Sequence, residues 1–134
     1  MYLLDTNIIL ELLLDQEQAD RVEQFLVRSS PASLHLTDFS LYSLGIILLR
    51  LKLYDAFLRA LDDLLVTGDI RLIRLEVEDL SQVSDAARQF NLDFDDAYQY
   101  IAAEKHDLAL LSFDRDFDRT ARGRKTLEEV MEQK

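Results

Sequence analysis

Asp5, Asp96 and Asp114 are the residues of this 134-residue chain best placed to do chemistry together. Asp5 follows the apolar run from Tyr2 to Leu4, and Asp114 follows the apolar run from Leu108 to Leu111 by way of Ser112 and Phe113. Asp96 sits in the first turn of the helix expected just before that second run. Carboxylates brought together without cations repel and desolvate one another, so their convergence makes physical sense around a hard divalent ion, Mg²⁺ or Mn²⁺, held by oxygen ligands. Such an ion can polarise a phosphodiester, activate a water and, with a second ion, stabilise the leaving oxygen, which is phosphodiester hydrolysis. Each acid also has an ordinary explanation. Asp5 suits the N-cap of the following helix, Asp93, Asp95 and Asp96 suit the positive end of theirs, and Asp114 and Asp116 suit a loop. Capping does not explain why acids recur at two strand ends and at the helix between them.

The elements that must position these acids read as strands alternating with helices. Tyr2 to Leu4 is a strand, and Asp5-Thr6-Asn7 caps an apolar helix from Ile8 to Leu14. A second helix runs from Asp15 to Val27, Ser29-Ser30-Pro31 stops it, and Ser33 to Leu36 is a strand. Thr37 or Asp38 caps the segment from Phe39 to Leu53, which is apolar on two sides and therefore expects either full burial or a second subunit on its outer face. Tyr54 to Val66 follows as a helix, Thr67-Gly68-Asp69 as a turn, Ile70 to Leu75 as a strand and Asp79 to Phe90 as a helix. Asp93 is the expected N-cap of a helix reaching about His106, and Thr126 with Glu129 forms a capping box before a short C-terminal helix. Strands separated by helices throughout predict an α/β fold, a three-layer α/β/α arrangement with a central parallel sheet, whose ligands gather at the carboxyl ends of the strands.

Length suits a single domain over residues 1–134. With no cysteine, disulfides and zinc-thiolate sites are excluded, and a cytoplasmic location fits. Asp5 and Glu11 interrupt the apolar start, so a signal peptide is not expected, and Arg50 and Lys52 argue against a membrane span in the second apolar stretch. The net charge of -11 opposes broad attraction to nucleic acid, yet five basic residues stand against two acids between Arg115 and Lys125. That strip is either a solvated tail or a phosphate contact. His35 and His106 read as structural because neither has ligand spacing to the acids, and Tyr98 and Tyr100 read as packing residues.

Three segments carry a family resemblance: LLDTNIIL around Asp5, LTDFSLYSL from Leu36 to Leu44, and DDAYQYIAAEKHDLALLSFDRDF from Asp95 to Phe117. Together they resemble the PIN domain family, especially the VapC-like toxins of toxin-antitoxin pairs, over nearly the whole chain. The resemblance implies a PIN-like (Rossmann-like) fold and a Mg²⁺- or Mn²⁺-dependent endoribonuclease. It assigns Asp5, Asp96 and Asp114 as metal ligands, Asp116 as an outer acid, and Asn7 and Ser112 as supporting hydrogen-bond partners. It also implies an RNA substrate, an antitoxin partner and, together with the two-sided apolar helix, a homodimer. One position departs from the pattern. Where the family carries a Glu near the start of its third helix, this chain has Ser43, and Asp38, five residues away or about 1.4 turns, faces another direction. A PIN-like module that binds without cutting is therefore the rival reading. A receiver or dehalogenase-like phosphoryl-transfer domain fits less well, because Asp5-Thr6-Asn7 offers neither paired acids nor Asp-x-Asp and no late strand-end Lys follows.

Overall fold

The computed structural model describes residues 1–132. Four strands, β1 (Tyr2–Leu4), β2 (Leu34–Thr37), β3 (Arg71–Ile73) and β4 (Ala109–Leu111), form one parallel sheet in the order β3-β2-β1-β4. Among these residues six α-helices fill the connections, α1 (Thr6–Leu13), α2 (Ala19–Arg28), α3 (Asp38–Arg50), α4 (Tyr54–Leu61), α5 (Leu80–Phe90) and α6 (Phe94–Lys105), and a seventh, α7 (Leu127–Glu132), follows the last strand. The expected three-layer α/β/α arrangement is present.

Period-two alternation along the strands splits the core in two. Leu3 and its β4 partner Leu110 face one layer, where they meet Val83 and Ala86 of α5 and Ala97 and Ile101 of α6. Leu4 and its partner Leu111 face the other layer with Leu34 and Leu36, against Ile8 and Ile9 of α1, Val22 and Phe25 of α2, and Leu127 and Val130 of α7. Burial on both faces explains why β1 and β4 read as unbroken apolar runs.

Several boundaries differ from the sequence reading for local reasons. The second helix begins only at Ala19, because Asp15 adopts a left-handed φ of 51° and the Glu11 carboxylate accepts a 2.7 Å bond from Gln18 N. The fourth helix stops at Leu61 and widens over Asp62–Val66, closed by Thr67 N donating to the Asp62 carbonyl at 2.7 Å. A Cβ at Gly68 would lie 2.0 Å from the Asp63 carbonyl oxygen, so this tight return requires glycine. The third strand keeps only Arg71–Ile73 of the longer stretch expected. Thr37 rather than Asp38 caps α3, accepting from Ser40 N at 3.0 Å. Asp93 occupies the N-cap position of α6 without a side-chain bond, whereas the Thr126–Glu129 box forms as expected.

Helix α3 buries Leu44 and Leu48 but leaves Tyr42, Ile46 and Leu49 exposed, and Tyr54 and Leu58 of α4 are exposed as well. Among the described residues no helix is long and apolar enough to cross a membrane.

Candidate active site

Three neighbouring strands end in polar residues at the same edge of the sheet: β2 at Thr37, β1 just before Asp5 and β4 just before Ser112. Parallel pairing makes their convergence unavoidable. Leu4 is opposite Leu111, and Asp5 N donates to the Leu111 carbonyl at 2.9 Å, so Asp5 and Ser112 emerge side by side. The Ser112 hydroxyl donates to Asp5 Oδ2 at 2.6 Å and accepts from Asp114 N at 2.9 Å, tying the two strand ends together. Asn7 adds a second tie: its Nδ2 donates to Ser112 Oγ and its Oδ1 accepts from Phe113 N, each at 3.3 Å. Asp114 Oδ1 accepts from Asp116 N at 2.8 Å and so starts the short turn that carries Asp116.

Helix α6 brings Asp96 and Gln99 to this edge. Gln99 is 2% exposed, and both the nitrogen and the oxygen of its amide are bonded. Its Nε2 donates to Asp5 Oδ1 at 3.1 Å and to Ser40 Oγ at 2.8 Å, while its Oε1 accepts from the Thr37 hydroxyl at 2.7 Å. The Ser40 and Thr6 hydroxyls lie 2.8 Å apart and complete the network. Gln99 was not singled out in the sequence. The available signal was a lone amide three residues after Asp96, in the middle of an otherwise apolar buried stripe.

Asp5, Asn7, Ser43, Asp95, Asp96 and Asp114 line a cavity of about 260 Å³ at these strand ends. Carboxylate oxygens of Asp96, Asp114 and Asp116 lie within 4.8 Å of one another. Asp5 sits deeper than these three, only 6% exposed, with its oxygens bonded to Ser112, Gln99 and Thr6 N. Burial pushes the Asp5 carboxyl above its ordinary range, opposed by its hydrogen bonds and reinforced by the charge of Asp114. Asp96 is pushed up to about 8, first by burial and then by the neighbouring charges of Asp114, Asp95 and Asp5. The donor set is all oxygen, and several acids share one small space where burial and mutual repulsion favour the protonated form of Asp96. This is the condition that a bound divalent cation relieves, so the residues fit Mg²⁺ or Mn²⁺. A larger cavity, about 490 Å³, opens at the opposite ends of β1 and β4 beside Met1, Asp107 and Arg122, where no such group of acids converges among the described residues.

Ser43, the residue in the place of the family's Glu, is half-buried and lines the cavity. Asp38 is turned to other work: its Oδ1 accepts from Phe39 N at 2.8 Å and from the Tyr98 hydroxyl at 2.7 Å. The basic strip proves to be largely a brace. Arg119 donates to the Phe90 and Asn91 carbonyls at the end of α5, Arg122 to the Leu108 carbonyl, and Arg124 to the Ser112 carbonyl and Asp118. Arg115 is exposed and forms no ion pair among the described residues. His35 lies within β2 with its Nδ1 3.3 Å from the Tyr2 carbonyl, and His106 ends α6; neither lines the cavity.

The PIN domain family profile matches residues 2–123, and the chain belongs to that family. No curated protein sequence matches it. Among solved structures, VapC20 from Mycobacterium tuberculosis, described as a sarcin-ricin loop cleaving toxin, superposes with a TM-score of 0.77 at 16% identity, covering 91% of this chain and 96% of that one. A toxin-antitoxin complex from Klebsiella pneumoniae gives 0.74 at 20% identity over 95% and 98%. FitAcB from Neisseria gonorrhoeae gives 0.73 at 20% identity over 94% and 96%.

Proposed function

We propose that this PIN domain is a metal-dependent endoribonuclease, the toxin of a toxin-antitoxin pair. One observation supports the reading above all: carboxylates of Asp96, Asp114 and Asp116 crowd together at the strand ends of a PIN fold, with Asp5 hydrogen-bonded behind them. Asp5, Asp96 and Asp114 are the assigned metal ligands and Asp116 the outer acid. When bound, Mg²⁺ or Mn²⁺ supplies charge neutralisation for the phosphodiester and lowers the pKa of a water. The protein does the rest. Ser112 and Gln99 fix the Asp5 carboxylate, Asn7 fixes the loop that carries Asp114, and Asp96 gives up its proton as the site is loaded. Arg115, exposed and next to Asp114 in the chain, is the residue assigned to an RNA phosphate.

An RNA target and an antitoxin are carried from proteins of similar structure: one is a toxin that cleaves the sarcin-ricin loop, and another is a toxin-antitoxin complex. A homodimer is supported by the exposed Tyr42, Ile46, Leu49 and Leu58, and a cytoplasmic setting accords with an RNA substrate. The experiment is calorimetric titration with Mn²⁺ and Mg²⁺ alongside cleavage of a mixed RNA pool, with and without EDTA. Metal binding together with EDTA-sensitive cleavage supports the nuclease, and the absence of both removes it.

Ser43 favours the rival reading, a PIN module that binds without cutting, since it leaves the cavity wall without the family's Glu. Ser43→Glu should tighten Mn²⁺ binding by about tenfold or more and raise cleavage, because affinity at oxygen sites follows the number of charged ligands. If calorimetry and cleavage rates both stay at wild-type values, the missing Glu is not what limits this site.

A further inference from the structure

Three aromatic rings, Phe39, Tyr98 and Phe94, cluster beside the acidic cavity with every pair of centroids within 6.3 Å, and the function stated so far uses none of them. Phe39, on the first turn of α3, lines the same cavity as Asp5, Asp96 and Asp114. Its ring centroid lies 5.4 Å from that of Tyr98 and 6.0 Å from that of Phe94. Tyr98 is the inner anchor: it is 7% exposed, and its hydroxyl accepts from Leu75 N at 3.0 Å and donates to Asp38 at 2.7 Å. Phe94 is the outer ring, the first residue of α6, two residues before Asp96 and 55% exposed. The two neighbouring rings hold it, yet more than half of its surface meets solvent. A ring so exposed adds little to the core, but its neighbours keep it from collapsing onto the surface.

We propose that Phe94, backed by Phe39 and Tyr98, is a stacking platform for an unpaired nucleobase of the RNA next to the cleaved phosphate, so that the substrate is single-stranded at that point. The proposal rests on the nuclease reading and deepens it. A nucleotide joins an anionic phosphate to a flat π-face, and the site presents a cation-seeking carboxylate cluster continuous, through Phe39, with an exposed aromatic ring. A base within a duplex is already stacked on both faces and cannot occupy such a ring without being extruded. Stacking is indifferent to base identity, so Phe94 sets strandedness, while sequence preference is left to other contacts. Phe94 is therefore a positioning residue: it acts on the approach of RNA, not on the carboxylates.

The test compares wild type, Phe94→Ala, Phe94→Leu and Phe94→Trp. Cleavage of a mixed-sequence single-stranded RNA is followed in Mn²⁺, and binding of the same labelled RNA is followed by fluorescence anisotropy in Ca²⁺. Phe94→Ala and Phe94→Leu should raise KM and weaken RNA binding by about 5- to 100-fold, the range expected for loss of one aromatic-base stack. Their kcat and Mn²⁺ affinity should stay near wild type, Phe94→Trp should retain tight binding, and annealing the RNA to its complement should cost wild type most of its advantage over Phe94→Ala. If Phe94→Leu performs like wild type, the ring serves only as apolar area and the platform is overturned. A fall in molar mass by light scattering for Phe94→Ala, with RNA binding unchanged, would reassign the ring to a subunit contact. A wild type that binds single-stranded RNA through Phe94 but cuts nothing would remove the nuclease reading and leave the platform standing.

Discussion

Asp96→Asn should lower RNA cleavage by at least about a thousandfold, and it should also make the metal-free protein more stable. The two effects share one cause. The folded protein holds Asp96 up to about 8, by burial and by the charges of Asp114, Asp95 and Asp5, against its ordinary value of 3.8. Between those values the folded state keeps a proton that the unfolded chain releases, so stability is greatest at the acidic end of the window and falls as pH rises through it. Asn resembles the protonated carboxyl and carries no such dependence. Because the group is only partly buried, the difference is discounted to about 1–2 kcal/mol near pH 8, or about 3–8 °C in Tm. Saturating Mn²⁺ should invert the order, since wild type gains about 2.7 kcal/mol at a hundredfold excess over Kd while the variant gains little. Thermal melts at acidic and alkaline pH, with and without Mn²⁺, decide it. Parallel pH slopes for the two proteins would show that Asp96 is not the titrating group.

Gln99→Leu is expected to have the largest effect on stability of any conservative change near the site. Leucine matches the amide in bulk but takes away Asp5's side-chain donor from α6 and the partner of the Thr37 hydroxyl, three groups that are all buried in the folded chain. Stranded buried polar groups cost about 1–3 kcal/mol each, and more for a charged one, which places the total at about 3–5 kcal/mol by urea unfolding. A second readout separates site from scaffold. The Gln99 bond is one of those holding the Asp5 carboxyl down against burial. Removing it should move the pH midpoint of Mn²⁺ binding upward, because binding requires the ionised carboxylate. A stability loss with an unmoved midpoint would leave Gln99 as scaffold alone.

The acids were legible in the sequence because each follows a feature that sequence displays well. Asp5 and Asp114 come after strands buried on both faces, which print as short apolar runs, and Asp96 opens a helix with an evident stripe. The network behind them was not legible, since the bonds of Gln99 reach Asp5 and Thr37 across 94 and 62 residues and no local pattern marks such partners. The basic strip was ambiguous for the same reason: the acceptors of Arg119, Arg122 and Arg124 include backbone carbonyls, which carry no residue identity. Helix ends were missed at Asp15 and Asp62, where a left-handed residue and a widened turn do what a Gly or Pro would have announced. Ser43 could be counted from Thr37 because that threonine caps α3 and sets the helix start, which fixes the turn on which residue 43 falls.

The ends of the sheet bear on how copies of this chain can meet. On one side β3 is only three residues long, with exposed Arg71 and Arg74 along it. On the other, β4 is closed by a single bridge between Leu111 and Lys125, with Arg122 and Arg124 alongside. Both hydrogen-bonding margins thus offer little open backbone, since β3 is three residues long and Lys125 bridges the outer edge of β4 at Leu111, and two molecules approaching strand to strand would find few groups to pair. Growth of the sheet into a fibre is discouraged at both margins, while the apolar flank of α3 and α4 carries no such guard. Crowding the protein should therefore yield discrete pairs before it yields aggregates.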